Sequence, residues 1–380
     1  MPRFVKTISI SHGGIFPLAD KPIEGEKRVF MMGNEVVAWA ALAADADIMY
    51  GYPITPQNQV MHYWSRLAPL HGRKFLQTED EISAGFTMLG GVLSGKRAFT
   101  ASSGPGNVIM QDAFSMAEMM RLPSLAVIQQ RGGPSTATVI YSQQEVVLTT
   151  HGGNGEGIRI VYSTNGHQDM FDYVIKGFNT AWKYRFPTFV LGDGYQGEMR
   201  ETLTIYDPAV RGIKMVPTDP YVGRAGTYDN GRVPNHLRNT YNIEEELEVA
   251  LAEIFKAYDH VRGEIEEWEQ TFTEDAQIVL IAHGIVARSA KEAANMLRAD
   301  GVKAGYFRPI TLAPFPYRQM RAAVKGAGKI LVAESANGQL RDLVKTNLYG
   351  ETIPIYGLFR PGVGITAEQI VRKAKELMKR

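Results

Sequence analysis

Residues 48–57 read Ile-Met-Tyr-Gly-Tyr-Pro-Ile-Thr-Pro-Gln: a short apolar run, Ile48-Met49-Tyr50, and then the turn Gly51-Tyr52-Pro53-Ile54-Thr55-Pro56-Gln57, which opens an amphipathic helix from Gln57 to Ala68. Prolines on either side of Ile54 and Thr55 restrict φ and hold the residues between them out of a helix, so the Thr55 hydroxyl is presented on a stiffened loop. Such a loop at a strand end is a good place for a ligand. Alone, the same stretch reads equally as a plain strand-to-helix turn.

Working outward, the strand-loop-helix unit repeats. Arg28–Met32 reads as a first strand and Glu35–Ala44 as its helix. A strand at Lys74–Gln77, a helix over Asp80–Leu93, a strand at Ala98–Thr100 and a helix over Val108–Met120 follow, with further strands at Ser124–Ile128 and Pro187–Leu191. Apolar runs alternating with helical segments argue for βαβ units around a largely parallel sheet. From Asp207 to about Tyr241 the composition shifts to Gly, Pro, Asp and Asn, as in a connecting segment. Residues 243–270 keep apolar positions at helical spacing (Ile243, Leu247, Leu251, Ile254, Phe255, Tyr258, Val261, Ile265, Trp268) with glutamates between them, which predicts a solvated helix across a domain seam. After Asp275 the alternation resumes to a closing helix at Ala367–Met378. The expected organisation is an arm over 1–27, an α/β domain over 28–206, a linker with an acidic helix over 207–274 and a smaller α/β domain over 275–380.

A chain of 380 residues, 44% hydrophobic and 21% charged, suits two soluble globular domains. Its 41 basic and 40 acidic side chains nearly cancel, leaving no field for nucleic acid or an anionic membrane. Cysteine is absent, which excludes disulfides, thiolate zinc, a cysteine nucleophile and a cysteine-held iron–sulfur cluster in this chain. Neither a signal-like apolar region near the start nor a membrane-length apolar run occurs, so a cytoplasmic location is expected.

Several strand ends carry candidate chemistry. In Thr78-Glu79-Asp80-Glu81-Ile82, acids complement a helix N-terminus, which accounts for Glu79 and Asp80; Glu81, beside Ile82, faces an apolar interface, where a carboxyl needs a partner or a raised pKa. Thr100-Ala101-Ser102-Ser103-Gly104-Pro105-Gly106-Asn107 is a loop of small residues that lets backbone amides approach a ligand. It matches neither the phosphate loop GxxxxGK[ST] nor GxGxxG. Arg131 in Gln129-Gln130-Arg131-Gly132-Gly133-Pro134-Ser135-Thr136 stands where a guanidinium fork can meet a carboxylate, or where it simply caps carbonyls. His151, in a glycine loop, reads as an acid or base or as structural. Eight scattered histidines lack HExxH-like spacing, so no metal held by this chain is expected.

Together these segments resemble the α subunit of the 2-oxoacid:ferredoxin oxidoreductases, thiamine-diphosphate enzymes that make acyl-CoA. The likeness rests on Gly33-Asn34-Glu35, Gly51 to Pro56, Glu79 to Ile82, Ser103-Gly104-Pro105-Gly106, Arg131 to Thr136 and Leu191-Gly192-Asp193-Gly194. It continues through Arg308 to Leu312, Pro314-Phe315-Pro316 and Asn337 to Leu340. The resemblance implies a pyrimidine-binding domain of the thiamine enzymes followed by a domain like the C-terminal one of transketolase. It implies that Glu81 hydrogen-bonds the cofactor's aminopyrimidine, that Pro53, Ile54, Ser103, Gly104 and Pro105 surround that ring, that Thr55 touches the substrate and that Arg131 grips its carboxylate. The diphosphate with its Mg2+ and a [4Fe-4S] cluster would belong to a partner β subunit, with γ or δ electron-transfer subunits, CoA and ferredoxin or a similar acceptor completing the reaction.

Where 2-oxoglutarate-specific members usually carry Gly-x-Pro-Thr, this chain has Ala137-Thr138-Val139-Ile140-Tyr141, and Leu191 to Met199 is closer to members acting on branched-chain 2-oxoacids. The resemblance therefore implies 2-oxoisovalerate or an aryl substrate such as phenylglyoxylate. A 2-oxoglutarate- or pyruvate-specific member and a non-catalytic scaffold subunit are the alternatives. A dinucleotide-dependent dehydrogenase would need a glycine fingerprint that Met31-Met32-Gly33-Asn34 does not supply.

Overall fold

A computed structural model describes residues 21–222 and 237–379; residues 1–20 of the expected arm and the linker stretch 223–236 lie outside the described residues. The first sheet has seven strands in the order Thr311–Ala313, Ile160–Ser163, Thr188–Asp193, Leu125–Gln130, Ala98–Ser102, Ile48–Gly51 and Lys74–Gln77. All run parallel except Thr311–Ala313, which pairs antiparallel with Ile160–Ser163. Strands buried on both faces read as continuous apolar runs, and Leu125–Gln130 is buried at every position. One face is covered by the helices Gly33–Ala43, Asn58–Leu67 and His167–Tyr184, where Phe99 packs edge-on between Trp64 and Phe178 at 5.0 and 5.8 Å. On the other lie Glu81–Leu93 and Gln111–Met120, whose Met88, Leu89 and Phe114 share a core with Val279, Ile281 and Phe307 of the second sheet.

That second sheet runs in the order Ile355–Phe359, Lys329–Glu334, Ile278–Ile281, Ala304–Pro309 and Trp268–Thr271, parallel but for the last. The α/β class expected from the alternation is therefore present in both halves.

Three local expectations are corrected. The strand expected at Arg28–Met32 spans Glu26–Met32 but stands outside the main sheet, paired antiparallel with Arg200–Tyr206 in a separate ribbon. Its alternation explains this: Phe30 is exposed and Met31 buried, the pattern of a strand covered on one face only. The helix expected over 243–270 ends at Ile265, and Trp268–Thr271 turns into the antiparallel edge of the second sheet. The helix packs Ile254, Val261 and Ile265 against Ile158, Ile160, Tyr162 and Phe186 of the first half, so it lies on that half's flank. The helix expected at Val108–Met120 is two, Pro105–Ile109 and Gln111–Met120.

Hydrogen bonds join the two halves at buried positions. Gln143 Nε2 donates to the His283 carbonyl at 2.9 Å and its Oε1 accepts from the Ser335 amide at 2.9 Å. His283, completely buried, sits 3.0 Å from Ser163 Oγ, and burial, then Arg308, pushes its pKa down to about 3. It is therefore a neutral structural ring.

Candidate active site

The residues singled out at strand ends come together at the carboxyl end of the first sheet. The turn after Ile48–Gly51 is braced from behind: Asn34 Nδ2 donates to the Pro56 carbonyl at 2.7 Å, and Gln57 Nε2 to the Tyr52 carbonyl at 3.2 Å. This leaves Pro53 and Thr55 exposed and Ile54 half-buried. The turn meets Arg131, which follows Leu125–Gln130 and is only 4% exposed: Arg131 Nη1 donates to the Thr55 carbonyl at 2.8 Å and Nη2 to Thr136 Oγ1 at 3.3 Å. Each Nη retains a second proton, and Nε is buried with no partner among the described residues.

Glu81 is the first residue of its helix, which Asp80 caps by accepting from the Ser83 amide at 2.7 Å. Thr78 Oγ1 ties this helix start to the neighbouring strand by donating to the Asp80 carbonyl at 2.8 Å and the Gly51 carbonyl at 3.3 Å. At 6% exposure the Glu81 carboxyl is pushed up from its ordinary pKa, chiefly by burial; a hydrogen bond to its own backbone opposes this, the charge of Asp80 adds to it and that of Arg131 opposes it. A carboxyl so placed holds a proton more readily than a free one.

Ser103 and Pro105 flank Gly104 between the strand Ala98–Ser102 and the helix Pro105–Ile109. The hydroxyls of Ser102 and Ser103 are both buried and unpartnered among the described residues. Gly106 lets this loop approach Glu81: a Cβ there would lie 2.7 Å from Glu81 Oε1 and closer still to Ser102 Oγ. Beyond Arg131, the loop through Ala137–Tyr141 lies on the turn after Thr188–Asp193. Tyr141 stacks on Tyr195 at 4.4 Å, and a Cβ on Gly194 would collide with the Ile140 carbonyl oxygen. Val139 and Ile140 remain exposed.

His151 does not join this cluster. It ends the helix Val146–His151, exposed, with Nδ1 2.8 Å from Thr150 Oγ1. A residue unmarked in the sequence does join it: Glu145, whose carboxylate accepts from the amides of Gly104 and Arg131 at 2.8 and 2.9 Å. The available signal was its isolation, since it is the sole Asp, Glu, Lys or Arg between Arg131 and Glu156. Among the described residues no group of three or more His, Cys, Asp and Glu side chains is arranged to hold a metal ion, and no helix is long and apolar enough to cross a membrane.

Comparison with known proteins gives this arrangement its relatives. Residues 39–273 match the family described as "Pyruvate flavodoxin/ferredoxin oxidoreductase, thiamine diP-bdg", and residues 276–370 match "Pyruvate:ferredoxin oxidoreductase core domain II". Ketoisovalerate oxidoreductase subunit VorB of Methanothermobacter marburgensis is 35% identical over 314 residues, covering 82% of this chain and 88% of that protein. The 2-oxoglutarate synthase subunit KorA of Methanothermobacter thermautotrophicus is 35% identical over 332 residues, with the same 82% and 88% coverage. Among solved structures, a 2-oxoglutarate:ferredoxin oxidoreductase from Magnetococcus marinus, with 2-oxoglutarate, coenzyme A and succinyl-CoA bound, superimposes with a TM-score of 0.83 at 28% identity. The match covers 92% of this chain and 65% of that one, so this chain spans just under two thirds of its length. The fold is accordingly that of the thiamine-diphosphate enzymes, a pyrimidine-binding domain with a transketolase-like domain beside it. With a thiamine-binding family matched over more than half its length and relatives aligned over most of theirs, the chain belongs to the 2-oxoacid:ferredoxin oxidoreductase family.

Proposed function

We propose that this chain is the α subunit of a 2-oxoacid:acceptor oxidoreductase that converts a branched-chain or aryl 2-oxoacid and CoA to acyl-CoA, CO2, a proton and two electrons. The observation that carries this reading is the convergence of unpaired buried polar groups at one end of the sheet. The Ser102 and Ser103 hydroxyls and Arg131 Nε have no partner among the described residues, and the Glu81 carboxyl stands beside them with a raised pKa. Buried polar groups are seldom left unmatched, and their presence together is what a polar ring placed against them would require. Bound there, thiamine diphosphate would supply the electron sink that loss of CO2 from a 2-oxoacid needs.

The chain's own residues then have distinct tasks. Glu81 holds a proton at its carboxyl and shares it with the aminopyrimidine edge. Pro53, Ile54, Ser103, Gly104 and Pro105 wall that ring. Arg131 offers its remaining N–H groups to the substrate carboxylate, and its bond to the Thr55 carbonyl fixes the turn from which Thr55 would touch the substrate. A partner β subunit would supply the diphosphate and Mg2+ site and a [4Fe-4S] cluster, consistent with a chain that has no cysteine. Further electron-transfer subunits would pass the electrons to ferredoxin or a similar acceptor.

The loop supports the branched-chain or aryl reading. A 2-oxoacid with a second carboxylate needs a second cation, and residues 132–145 contain no Lys, Arg or His, whereas Val139 and Ile140 present apolar surface. The two Methanothermobacter relatives quoted above divide between ketoisovalerate and 2-oxoglutarate enzymes at equal identity, so support for one reading over the other comes from the loop. Co-expressed with its partner subunits and assayed with a viologen dye, the enzyme is expected to turn over 2-oxoisovalerate or phenylglyoxylate with a kcat/KM at least about tenfold above that for 2-oxoglutarate, the order of one misplaced charge. A preference for 2-oxoglutarate would reverse the substrate assignment, and activity on no 2-oxoacid would favour a scaffold role.

A further inference from the structure

Glu145 is 3% exposed and its carboxylate is fully engaged. Oε1 accepts from the Gly104 amide at 2.8 Å and the Arg131 amide at 2.9 Å, while Oε2 accepts from Asn107 Nδ2 at 3.0 Å. Asn107 Oδ1 in turn accepts from Gln111 Nε2 at 2.9 Å, and Gln111 Oε1 accepts from Arg159 Nη1 at 2.9 Å. Arg159 Nε donates to Glu118 Oε1 at 2.6 Å, and Arg159 and Asn107 are completely buried.

An amide alone can face either way, because its oxygen and nitrogen have the same shape. This chain of amides cannot. A guanidinium has only donors, so Arg159 draws the Gln111 oxygen toward itself, the Gln111 NH2 then needs the Asn107 oxygen, and the Asn107 NH2 is left facing Glu145; burial raises the Glu145 pKa, and the Arg131 amide, Asn107 and the Gly104 amide oppose that by bonding its oxygens. The run is a one-way relay from the Arg159–Glu118 ion pair to two loops at the ends of neighbouring strands.

We propose that Glu145 is the positioning residue of the site: through this relay it sets the backbone at Gly104 and Arg131 and so the placement of the Arg131 guanidinium toward the substrate carboxylate. The inference rests on the reading of Arg131 given above and adds to it the residue that aims it. An isosteric amide cannot replace the carboxylate. In E145Q the new side chain would either point its NH2 at the NH2 of Asn107 or turn it toward the two backbone amides, leaving buried donors facing each other. A compensating exchange exists. In N107D/E145Q the carboxylate introduced by N107D accepts from the introduced amide on one side and from Gln111 on the other, and the Thr149 hydroxyl, 3.2 Å from Asn107 Nδ2 in the wild type, can rotate to donate.

The test uses the assembled complex and two independent readouts. In the wild type, the amides of Gly104 and Arg131 should exchange hydrogen slowly although both lie outside regular structure; loop-like exchange would overturn the proposal whether or not any variant assembles. E145Q should raise the KM for the 2-oxoacid about tenfold or more with a smaller effect on kcat, and speed exchange in peptides covering 103–107 and 131–136. N107D/E145Q should bring both within about threefold of wild type. An E145Q enzyme with unchanged KM and exchange, or a double variant no better than the single one, would refute the relay. If R131A leaves KM unchanged while E145Q speeds exchange and N107D/E145Q restores it, the relay stands and the substrate role of Arg131 falls.

Discussion

Replacing Glu81 with Gln is expected to cut kcat by roughly a hundredfold to a thousandfold, the range for loss of a positioned proton-transfer group, while the complex still assembles. Two features separate this from a folding defect. The carboxyl's hydrogen bond is to its own backbone, which the oxygen of an isosteric amide can keep, and no side chain among the described residues donates to it; Asp80 does the capping. The pKa direction agrees. Burial places the folded-state pKa above the unfolded value, so whatever stability the protonated carboxyl contributes is present in acid and lost as pH rises through the folded pKa. The neutral amide of E81Q avoids that loss, and the variant should be at least as stable as the wild type at about pH 7 to 8 in a thermal melt. Turnover close to wild type would remove Glu81 from the chemistry.

Arg131→Ala should raise the KM for the 2-oxoacid by about 2–3 kcal/mol, roughly 30- to 150-fold, as expected when a charge-assisted hydrogen-bonded pair is lost. Apart from the substrate role proposed for it, the guanidinium braces the turn, since Nη1 donates to the Thr55 carbonyl and Nη2 to Thr136 Oγ1. Lysine has the charge but not the planar fork, so Arg131→Lys should recover only part of the loss. Steady-state kinetics of both variants across one 2-oxoacid series would decide: an alanine variant with wild-type KM makes Arg131 a structural brace for the loop.

Much of this arrangement is legible in residue order because its parts are local. Proline turns, small-residue loops and helix starts acting at strand ends can be read within a few positions, and a parallel sheet then brings those ends to one edge. What is not legible depends on distant pairing. Thr311–Ala313 follows a strand of the second sheet yet joins the first one beside Ile160–Ser163, about 150 residues away in sequence, and nothing local encodes that partner. Glu26–Met32 has the composition of a first sheet strand but only one coverable face, which sends it to Arg200–Tyr206. The helix His167–Tyr184 is not among the expected elements, although Met170, Phe171, Val174, Ile175 and Phe178 keep helical spacing and are all buried. Glu145 gives no motif because its role lies in three donors brought to it from elsewhere, the Gly104 and Arg131 amides of two loops and Asn107 of the short helix Pro105–Ile109.

The proposed function makes this polypeptide half of a thiamine site, the pyrimidine half, which a partner subunit would complete. Calorimetric titration of thiamine diphosphate with Mg2+ into the chain alone, and in parallel into the complex co-purified with its partner after cofactor removal, measures this division. The expected result is saturable binding by the complex, weakened by Glu81→Gln, and no measurable binding by the chain alone. Tight binding by the isolated chain, or none by the complex, would contradict it.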